Sequence, residues 1–331
     1  MSELRRDPIS GRWVILTPDH SRRPADFTPP AAPIVDASAC PFCEGREAIA
    51  GDELLAWRTN NSQPNTPGWQ VRVVPNREPA LRVEGDLGQA SDGLFQRHGG
   101  LGAHEVIIES PRHSDSWSTM SEEAIGRVLW AWRVRIEDLQ RDFRLRSFVI
   151  VKNHGAAAGA RQDHAHSQLV AYPFPPSVIE SELARGMQHF AATQQCLFCD
   201  VIREEAALNQ RVITADEQVI VLAPFAPRVP FETWVVPREH APHFHSASEG
   251  LLQAVAKHLR DLIRRLDAAL LKPPFNLWVH TAPISDAARE AFHWHIEVLP
   301  RLRPVSGVEW GSGVRVNPIP PEEAAQVLRD S

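Results

Sequence analysis

Long apolar runs and an excess of basic residues are both missing from this chain of 331 residues. A helix needs roughly 20 consecutive apolar residues to span a bilayer, and no segment offers them. Lysine and arginine together number 35 against 41 acidic residues, for a net charge of −6, and they are scattered rather than clustered as in nucleic-acid-binding proteins. The N-terminal sequence MSELRRDPIS lacks the apolar segment of a secretory signal. We therefore expect a cytoplasmic protein that binds neither membranes nor nucleic acid.

Cysteine is scarce, and its four residues form two C-x-x-C pairs, Cys40 with Cys43 and Cys196 with Cys199. A disulfide framework is not expected in a cytoplasmic chain of this length, and a thioredoxin-like redox pair would not normally occur twice. Two thiolates at this spacing supply half of a tetrahedral zinc site. The cysteines therefore predict two Zn²⁺ ions per chain.

The motifs recur in the same order in the two halves of the chain. In each half a C-x-x-C pair is followed by a strand, a lone histidine, a long amphipathic helix, a second strand and an H-x-H motif. The first copy contains CPFC, a strand at 105–109, His113, a helix whose capping box is Thr119 with Glu122, a strand at 148–151 and His164-Ala-His166. The second contains CLFC, a strand at 233–237, His240, a helix from about Ser248, a strand at 276–279 and His293-Trp-His295.

This internal repeat predicts the fold class and the division of the chain. Strand and helix segments are mixed without strict alternation, so we expect an α+β fold. Two tandem repeats are predicted, each a mainly antiparallel sheet with a long helix on one face. The first repeat is expected at residues 1–172 and the second at 195–331, with 173–194 as the connector.

Each C-x-x-C pair needs two further ligands, and the matched histidines of each copy supply them. The first set is predicted as Cys40, Cys43, His113 and His164, and the second as Cys196, Cys199, His240 and His293. Both are Cys2His2 sets with no position left for water, which is typical of structural rather than catalytic zinc. A lone histidine such as His104 is interpreted as an ordinary surface or core residue.

The segment 153–168 carries the residues best suited to chemistry. Alternate side chains of a strand share one face, so His164, His166 and Gln168 are expected to line up. The metal needs only His164, which leaves the neutral imidazole of His166 free to attack an α-phosphorus and form a phosphoramidate. The small residues at 155–160 allow backbone N–H groups to approach a phosphate. Gln168 is predicted to donate a hydrogen bond to a phosphoryl oxygen.

This segment, NHGAAAGARQDHAHSQ, resembles that of galactose-1-phosphate uridylyltransferase, a branch of the histidine triad superfamily. The resemblance covers nearly the whole chain through the segments RDPISGRWVIL, CPFC, VVPN and ESPRH. It implies that His166 is the nucleophile and that Gln168 holds the phosphoryl oxygens. It also implies a homodimer whose active sites lie near the subunit interface.

The resemblance further implies a nucleotide donor and a phosphate-type acceptor as ligands. Arg23 is expected to contact phosphate, and Asn76 and Asn153 are expected near the nucleotide. The predicted nucleotide- and phosphate-binding residues are Arg23, Asn76, Asn153, Gly155, Gly159, Ala160, Arg161 and Glu309.

Four departures from the family pattern bear on the substrate. Glu78 stands where the family usually has an aromatic residue, which weakens the expectation of uracil stacking. Arg161 replaces a small hydroxyl residue and adds a fixed positive charge next to the nucleophile. Ala165 replaces the usual proline of the H-x-H motif. The C-terminal hexose-binding segment keeps Glu309 but lacks the usual later glutamine.

The second half is more similar to the ADP-glucose phosphorylase branch. That branch and the adenylylsulfate:phosphate adenylyltransferases carry AMP on the histidine. We therefore predict a ping-pong nucleotidyltransferase that moves AMP from adenylylsulfate or ADP-glucose to inorganic phosphate, giving ADP. Uridylyl transfer between UDP-glucose and a hexose 1-phosphate, a nucleotide hydrolase of the histidine triad type and a non-catalytic zinc scaffold are the alternatives. In the second copy Glu297 replaces the glutamine, so His295 is predicted to be catalytically silent.

Overall fold

Short apolar segments form most of the strands in the computed structural model, which describes residues 2–18, 24–27, 37–88 and 90–331. The strands are β1 Glu3–Arg6, β2 Trp13–Leu16, β3 Leu55–Arg58, β4 Trp69–Pro75, β5 Ala90–Asp92, β6 Phe95–Arg97, β7 Ala103–Ile108, β8 Ser147–His154, β9 His166–Tyr172, β10 Val212–Ala215, β11 Val219–Leu222, β12 Thr233–Pro237, β13 Phe275–His280, β14 His295–Pro300 and β15 Arg315–Asn317. The helices are α1 Glu47–Ala50, α2 Glu122–Leu139, α3 Ser177–Thr193, α4 Leu197–Leu208, α5 Glu249–Leu270, α6 Gly307–Ser312 and α7 Pro321–Asp330. Among these helices, none combines the length and apolar character needed to cross a bilayer.

The strands of both repeats belong to one ten-stranded sheet. Its order is β10-β11-β12-β14-β13-β8-β9-β7-β4-β3, and neighbouring strands are antiparallel throughout. The halves meet where β8 pairs with β13, with Asn153 opposite Asn276. The α+β class and the antiparallel arrangement are confirmed. The two predicted sheets, however, are continuous with each other.

The long helices α2 and α5 lie side by side on one face of this sheet and close the core. Apolar side chains of both helices pack in the same cluster as strand residues such as Val73 and Leu277. Helix α5 begins after Ser248 as predicted, and the Ser248 hydroxyl accepts a hydrogen bond from the Leu251 N–H at 3.2 Å. The predicted cap of α2 is wrong: Ser121 is the N-cap, because its hydroxyl accepts from the third helical N–H.

Most of the expected connector, 173–194, folds as helix α3. Its residue Ile179 packs against Phe292 from the loop before β14. Gly186 lies so close to the carbonyl of Ala291 that a Cβ would overlap it. Helix α3 therefore packs against residues of the second predicted repeat, and the predicted boundaries between repeats and connector stay a prediction.

A small sheet joins the two ends of the chain. Strand β2 pairs with β1 in antiparallel fashion and with β15 in parallel. This pairing places Arg12, next to β2, near Arg315 of β15, and both line one cavity.

Candidate active site and metal centres

The first predicted metal set comes together between the loop before α1 and the start of β9. The Nδ1 atom of His164 lies 3.6 Å from the sulfur of Cys40 and of Cys43, and His113 Nδ1 lies 3.6 Å from Cys43. Tetrahedral zinc with Zn–S of about 2.3 Å and Zn–N of about 2.05 Å separates sulfur and nitrogen ligands by about 3.6 Å. His164 Nε2 donates to the Ser110 carbonyl at 2.6 Å, which turns Nδ1 toward the thiols. The donor set and its spacing fit a zinc ion.

The second predicted set has the same geometry. The sulfur of Cys199 lies 3.6 Å from Nδ1 of His240 and 3.6 Å from Nδ1 of His293, and Cys196 completes the group. His240 Nε2 donates to the Arg289 carbonyl at 2.9 Å. Each repeat therefore brings two thiols and two Nδ1 atoms to one point.

A third cluster, not predicted from the sequence, contains Glu182, His280, His295 and Glu297, all buried. Arg228 donates to Glu297 at 2.5 Å, and His280 Nδ1 lies 3.1 Å from Glu182. Burial by itself raises the pKa of Glu297, but Arg228 and His280 hold it well below its ordinary value. The cluster is therefore a buried ion-pair network that already contains its own cations.

His166, the predicted nucleophile, is the first residue of β9 and is 7% exposed. Its Nδ1 donates to the His164 carbonyl at 2.8 Å, which leaves Nε2 without a proton. Burial lowers the pKa of His166, so the ring is neutral. Phe42 packs against it with ring centroids 5.4 Å apart. The sequence predicted that His164, His166 and Gln168 lie on one face of a single strand. Only His166 and Gln168 belong to β9, because His164 lies before the strand begins.

His166 faces a cleft of about 660 Å³. Of the predicted site residues, Gln168, Asn76, Gly159 and Arg161 also line this cleft. Asn153, Gly155, Ala160 and Glu309 do not line it, and Arg23 lies outside the described residues.

His104 is a residue of this cleft that the sequence interpretation missed. Its Nδ1 accepts from the Ala80 N–H at 3.1 Å, so Nε2 carries the proton and donates to Gln168 Oε1 at 2.7 Å. With its oxygen engaged, Gln168 presents its NH₂ group to the cleft. The alternation of side chains along β7 could have identified His104 from the sequence. His104 lies two residues before Val106, which pairs with Gln168, so the side chains of His104 and Gln168 lie on the same face of the sheet.

The loop between β8 and β9 is closed by its own hydrogen bonds. Gly155 and Gly159 have φ values of +79° and +87°, and the N–H groups of Ala158 and Ala160 both donate to the Gly155 carbonyl. The Asn276 amide donates to Asn153 Oδ1 at 2.7 Å and to the Ala158 carbonyl at 2.8 Å, which fixes the loop from the second repeat. The N–H groups of Ala158 and Ala160 are thus used within the loop, and the expected contact of the loop with phosphate stays a prediction.

Two family models cover most of the chain. The N-terminal domain of galactose-1-phosphate uridyl transferase matches residues 1–176, and the C-terminal domain matches residues 182–306. The chain belongs to the galactose-1-phosphate uridylyltransferase family. It is therefore an enzyme of the nucleotidyltransferase class.

Similar proteins include both branches named by the sequence resemblance. ADP-glucose phosphorylase of Arabidopsis thaliana is 35% identical over 334 residues, which cover 99% of this chain and 92% of that protein. Galactose-1-phosphate uridylyltransferase of Thermotoga maritima is 26% identical over 340 residues, covering 100% and 99%. The crystal structure of an ADP-glucose phosphorylase from Arabidopsis thaliana with bound ADP-glucose matches with a TM-score of 0.83 and 32% identity, covering 100% of this chain and 99% of that one.

Two departures from the uridylyltransferase family pattern meet at the rim of the cleft. Arg161 Nη1 lies 2.8 Å from Glu78 Oε2, and the two side chains are 84% and 79% exposed. The two residues that the sequence comparison interprets as departures from the family pattern are therefore ion-paired with each other. Exposed pairs of this kind contribute little stability, so the pair opens readily.

Glu309, which the resemblance assigns to a hexose-binding segment, has both carboxylate oxygens hydrogen-bonded within its own chain. It forms the capping box of α6 with Ser306 and accepts from Arg303 at 2.8 and 3.0 Å and from the Val316 N–H at 3.2 Å. These bonds give Glu309 a structural role within its own chain. Its predicted ligand contact stays a prediction.

Replacing His104 by Ala is expected to lower kcat about 10- to 100-fold, because the Gln168 amide loses the partner that orients it toward the phosphoryl group. The thermal midpoint and metal content should stay near wild type. Steady-state kinetics with His98→Ala, an exposed histidine, as the matched control will measure this. Equal kcat values for the two variants would show that His104 does not contribute to catalysis.

Proposed function

We propose that this family member transfers AMP by a ping-pong mechanism through a covalent nucleotidyl-His166. The donor is ADP-glucose or adenylylsulfate, the acceptor is inorganic phosphate, and the product is ADP. The observation that carries the proposal is the buried imidazole of His166, whose Nδ1 is bonded to the His164 carbonyl so that Nε2 is free in the cleft. The similarity to ADP-glucose phosphorylase over the whole chain supports ADP-glucose as the first donor to test.

Two in-line displacements at the α-phosphorus account for the reaction. In the first, the lone pair of His166 Nε2 forms the N–P bond while the P–O bond to glucose 1-phosphate, or to sulfate, breaks. In the second, a phosphate oxygen attacks the same phosphorus, the N–P bond breaks and ADP leaves. The Gln168 NH₂ group, held by His104, donates to a phosphoryl oxygen in both steps.

We also propose that each Cys2His2 set holds one Zn²⁺. Zinc bound there supplies structural cross-linking and no open coordination position. The first set would fix the backbone at His164, and with it the carbonyl that orients His166. The homodimer implied by the resemblance and the cytoplasmic location stay predictions.

Mass spectrometry of the enzyme mixed with one donor at a time tests the chemistry. ADP-glucose and adenylylsulfate are expected to add one AMP to the peptide containing His166, and phosphate should then remove it as ADP. An adduct of UMP from UDP-glucose would instead support uridylyl transfer, which the Thermotoga maritima relative favours. Loss of the adduct to water, unchanged by phosphate, would indicate a hydrolase. Turnover without any adduct would mean direct transfer and overturn the proposal.

The Glu78–Arg161 pair predicts a measurable effect on donor binding. Freed by Glu78→Gln, Arg161 is expected to lower KM for the anionic donor about two- to fivefold, whereas Arg161→Gln should raise it about tenfold. kcat should change little in both. Arg141→Gln, which disrupts a comparably exposed pair with Asp138, is the control. A KM that does not respond to either change would show that Arg161 faces away from the ligand.

A further inference from the structure

The three consecutive carbonyl groups of the first H-x-H motif each accept a hydrogen bond. The His164 carbonyl accepts from the ring of His166 at 2.8 Å. The Ala165 carbonyl accepts from the N–H group of Glu109 at 3.0 Å. The His166 carbonyl accepts from the ammonium group of Lys152 at 3.3 Å. Two of the three bonds therefore come from Glu109 and Lys152, neither of which lines the cleft.

Lys152 and Glu109 also form an ion pair with each other. Lys152 Nζ lies 2.5 Å from Glu109 Oε2, and the two side chains are 3% and 0% exposed. The same carboxylate oxygen accepts from the indole N–H of Trp117 at 2.8 Å, and Lys152 Nζ lies 5.2 Å from the centroid of the Trp117 ring system. The pair is thus enclosed in the core, where it escapes the solvent screening and side-chain motion that weaken exposed pairs.

This ion pair lies on the face of the central sheet opposite to the cleft. Val151 stands opposite Gln168 in the β8–β9 register, and Gln168 lines the cleft. Successive side chains of a strand alternate, so Lys152 points to the other face, which the long helices cover. On that face Trp132 of α2 donates to the hydroxyl of Ser167 at 2.8 Å. The ion pair therefore contacts the backbone of the nucleophile and not the space where a ligand binds.

The strand register shows what the Lys152 side chain adds at this point. His166 pairs with Ile108 of β7 on one side. On its other side, the β8–β9 register ends with Val151 opposite Gln168, two residues short of His166, and the end of β8 pairs with β13. Lys152 spans this gap when it donates to the His166 carbonyl. The backbone of His166 is thus held by strand pairing on one side and by a buried ammonium group on the other.

Stability alone does not account for an ion pair in the core. Removing two charges from water costs free energy that their attraction often fails to recover, and apolar replacements of buried pairs are often neutral or stabilising. The second oxygen of Glu109, Oε1, is buried and accepts no hydrogen bond from the described residues. The position of the pair is better explained by the two carbonyl groups that it holds.

We propose that the Lys152–Glu109 pair is a positioning element for the attack of His166 on the α-phosphorus, a role that rests on the proposed function. Lys152 holds the His166 carbonyl, while Glu109 holds both Lys152 and the Ala165 carbonyl. Together they keep Nε2 of His166 directed into the cleft. A displacement of about 1 Å at a reacting group can reduce its rate about 100-fold. Loss of the pair should therefore slow the covalent step and leave donor binding unchanged.

The double variant Lys152→Met/Glu109→Gln tests this role without leaving an unpaired charge in the core. The glutamine retains an acceptor for Trp117, whereas the methionine cannot donate to His166. Rapid-quench mass spectrometry with ADP-glucose should show adduct formation per folded molecule slowed about 10- to 100-fold. The donor Kd, taken from the concentration dependence of that rate, should stay within about twofold of wild type.

The matched control is Arg211→Met/Glu205→Gln, which replaces another buried ion pair, with side chains 8% and 5% exposed. Its rate of adduct formation should equal that of wild type. A control that slowed the step as much as the Lys152/Glu109 variant would overturn the positioning role, because loss of any buried pair would then explain the effect. An unchanged rate with a weakened donor Kd in the Lys152/Glu109 variant would also overturn it.

Lys152→Arg provides a second measurement that does not depend on the folding of the double variant. Arginine keeps the positive charge beside Glu109 and can donate to the His166 carbonyl, so the rate per folded molecule should stay within about fivefold of wild type. Equal rates for wild type and the double variant would overturn the positioning role and leave the proposed function intact. Absence of the adduct from wild type would overturn the proposed function, and the positioning role with it.

Discussion

His166→Gly is expected to reduce turnover by at least about 10⁴-fold and to eliminate the nucleotide adduct, because the variant lacks the atom that forms the N–P bond. His166 is not one of the four residues whose ligand atoms meet in the first metal set, so two metal equivalents should remain. Residual rate, intact mass after incubation with ADP-glucose, and metal content measure the three effects. If this variant still forms the adduct, another residue must be the nucleophile.

His295→Gly is the matched control that the chain itself provides. His295 is the second histidine of the other H-x-H motif, and its Nδ1 lies 3.1 Å from the His293 carbonyl, in the same arrangement as His166. Its neighbour two residues on is Glu297, ion-paired to Arg228, where the first repeat has Gln168. The folded fraction of this variant should form the adduct at a rate close to wild type. Loss of the adduct here would show that the second repeat takes part in the chemistry.

Cys43→Ser is expected to release one of the two metal equivalents, lower the thermal midpoint by about 10 °C or more and reduce activity at least 100-fold. Binding of structural zinc is worth roughly 10 kcal/mol in small domains, so loss of a ligand is costly. Activity falls as well, because the His164 carbonyl that sets the tautomer of His166 is no longer held. Elemental analysis, thermal unfolding and steady-state kinetics provide the three readouts.

Cys199→Ser separates stability from catalysis. Cys199 occupies the equivalent position in the second set and contacts two histidines in the same way. Its replacement should also release one metal equivalent and lower the thermal midpoint. The activity per folded molecule should stay within about fivefold of wild type, because the hydrogen bonds that His166 forms with other described residues do not involve this set. Equal losses of activity for the two variants would contradict the proposed link between the first metal set and His166.

Local sequence patterns predicted the two ligand sets and several of the strands and helices. Both ligand sets could be assigned because the C-x-x-C and H-x-H spacings recur, and the strand at 233–237 and the helix start near Ser248 follow from the spacing of apolar residues. The cap of α2 was misassigned, since Thr119 and Ser121 offer equivalent hydroxyls and the geometry of the turn decides between them.

What the sequence did not predict depends on contacts between distant residues. The pairing of β8 with β13 joins strands more than 100 residues apart, and no local signal encodes it. The contact between His104 and Gln168 could not be predicted, because it depends on the pairing of β7 with β9. Glu78 and Arg161 were recognised separately as departures from the family, but their ion pair requires two loops to converge.

The β8–β13 junction implies that neither half of the chain is an autonomous folding unit. A fragment ending near residue 176 would leave residues 150–154 of β8 as an open edge of exposed N–H and C=O groups, and such edges recruit other chains. The same cut would strip α5 from α2 and expose their shared apolar surface. The halves should therefore melt together in a single cooperative transition, and an isolated N-terminal half should accumulate as insoluble or domain-swapped material.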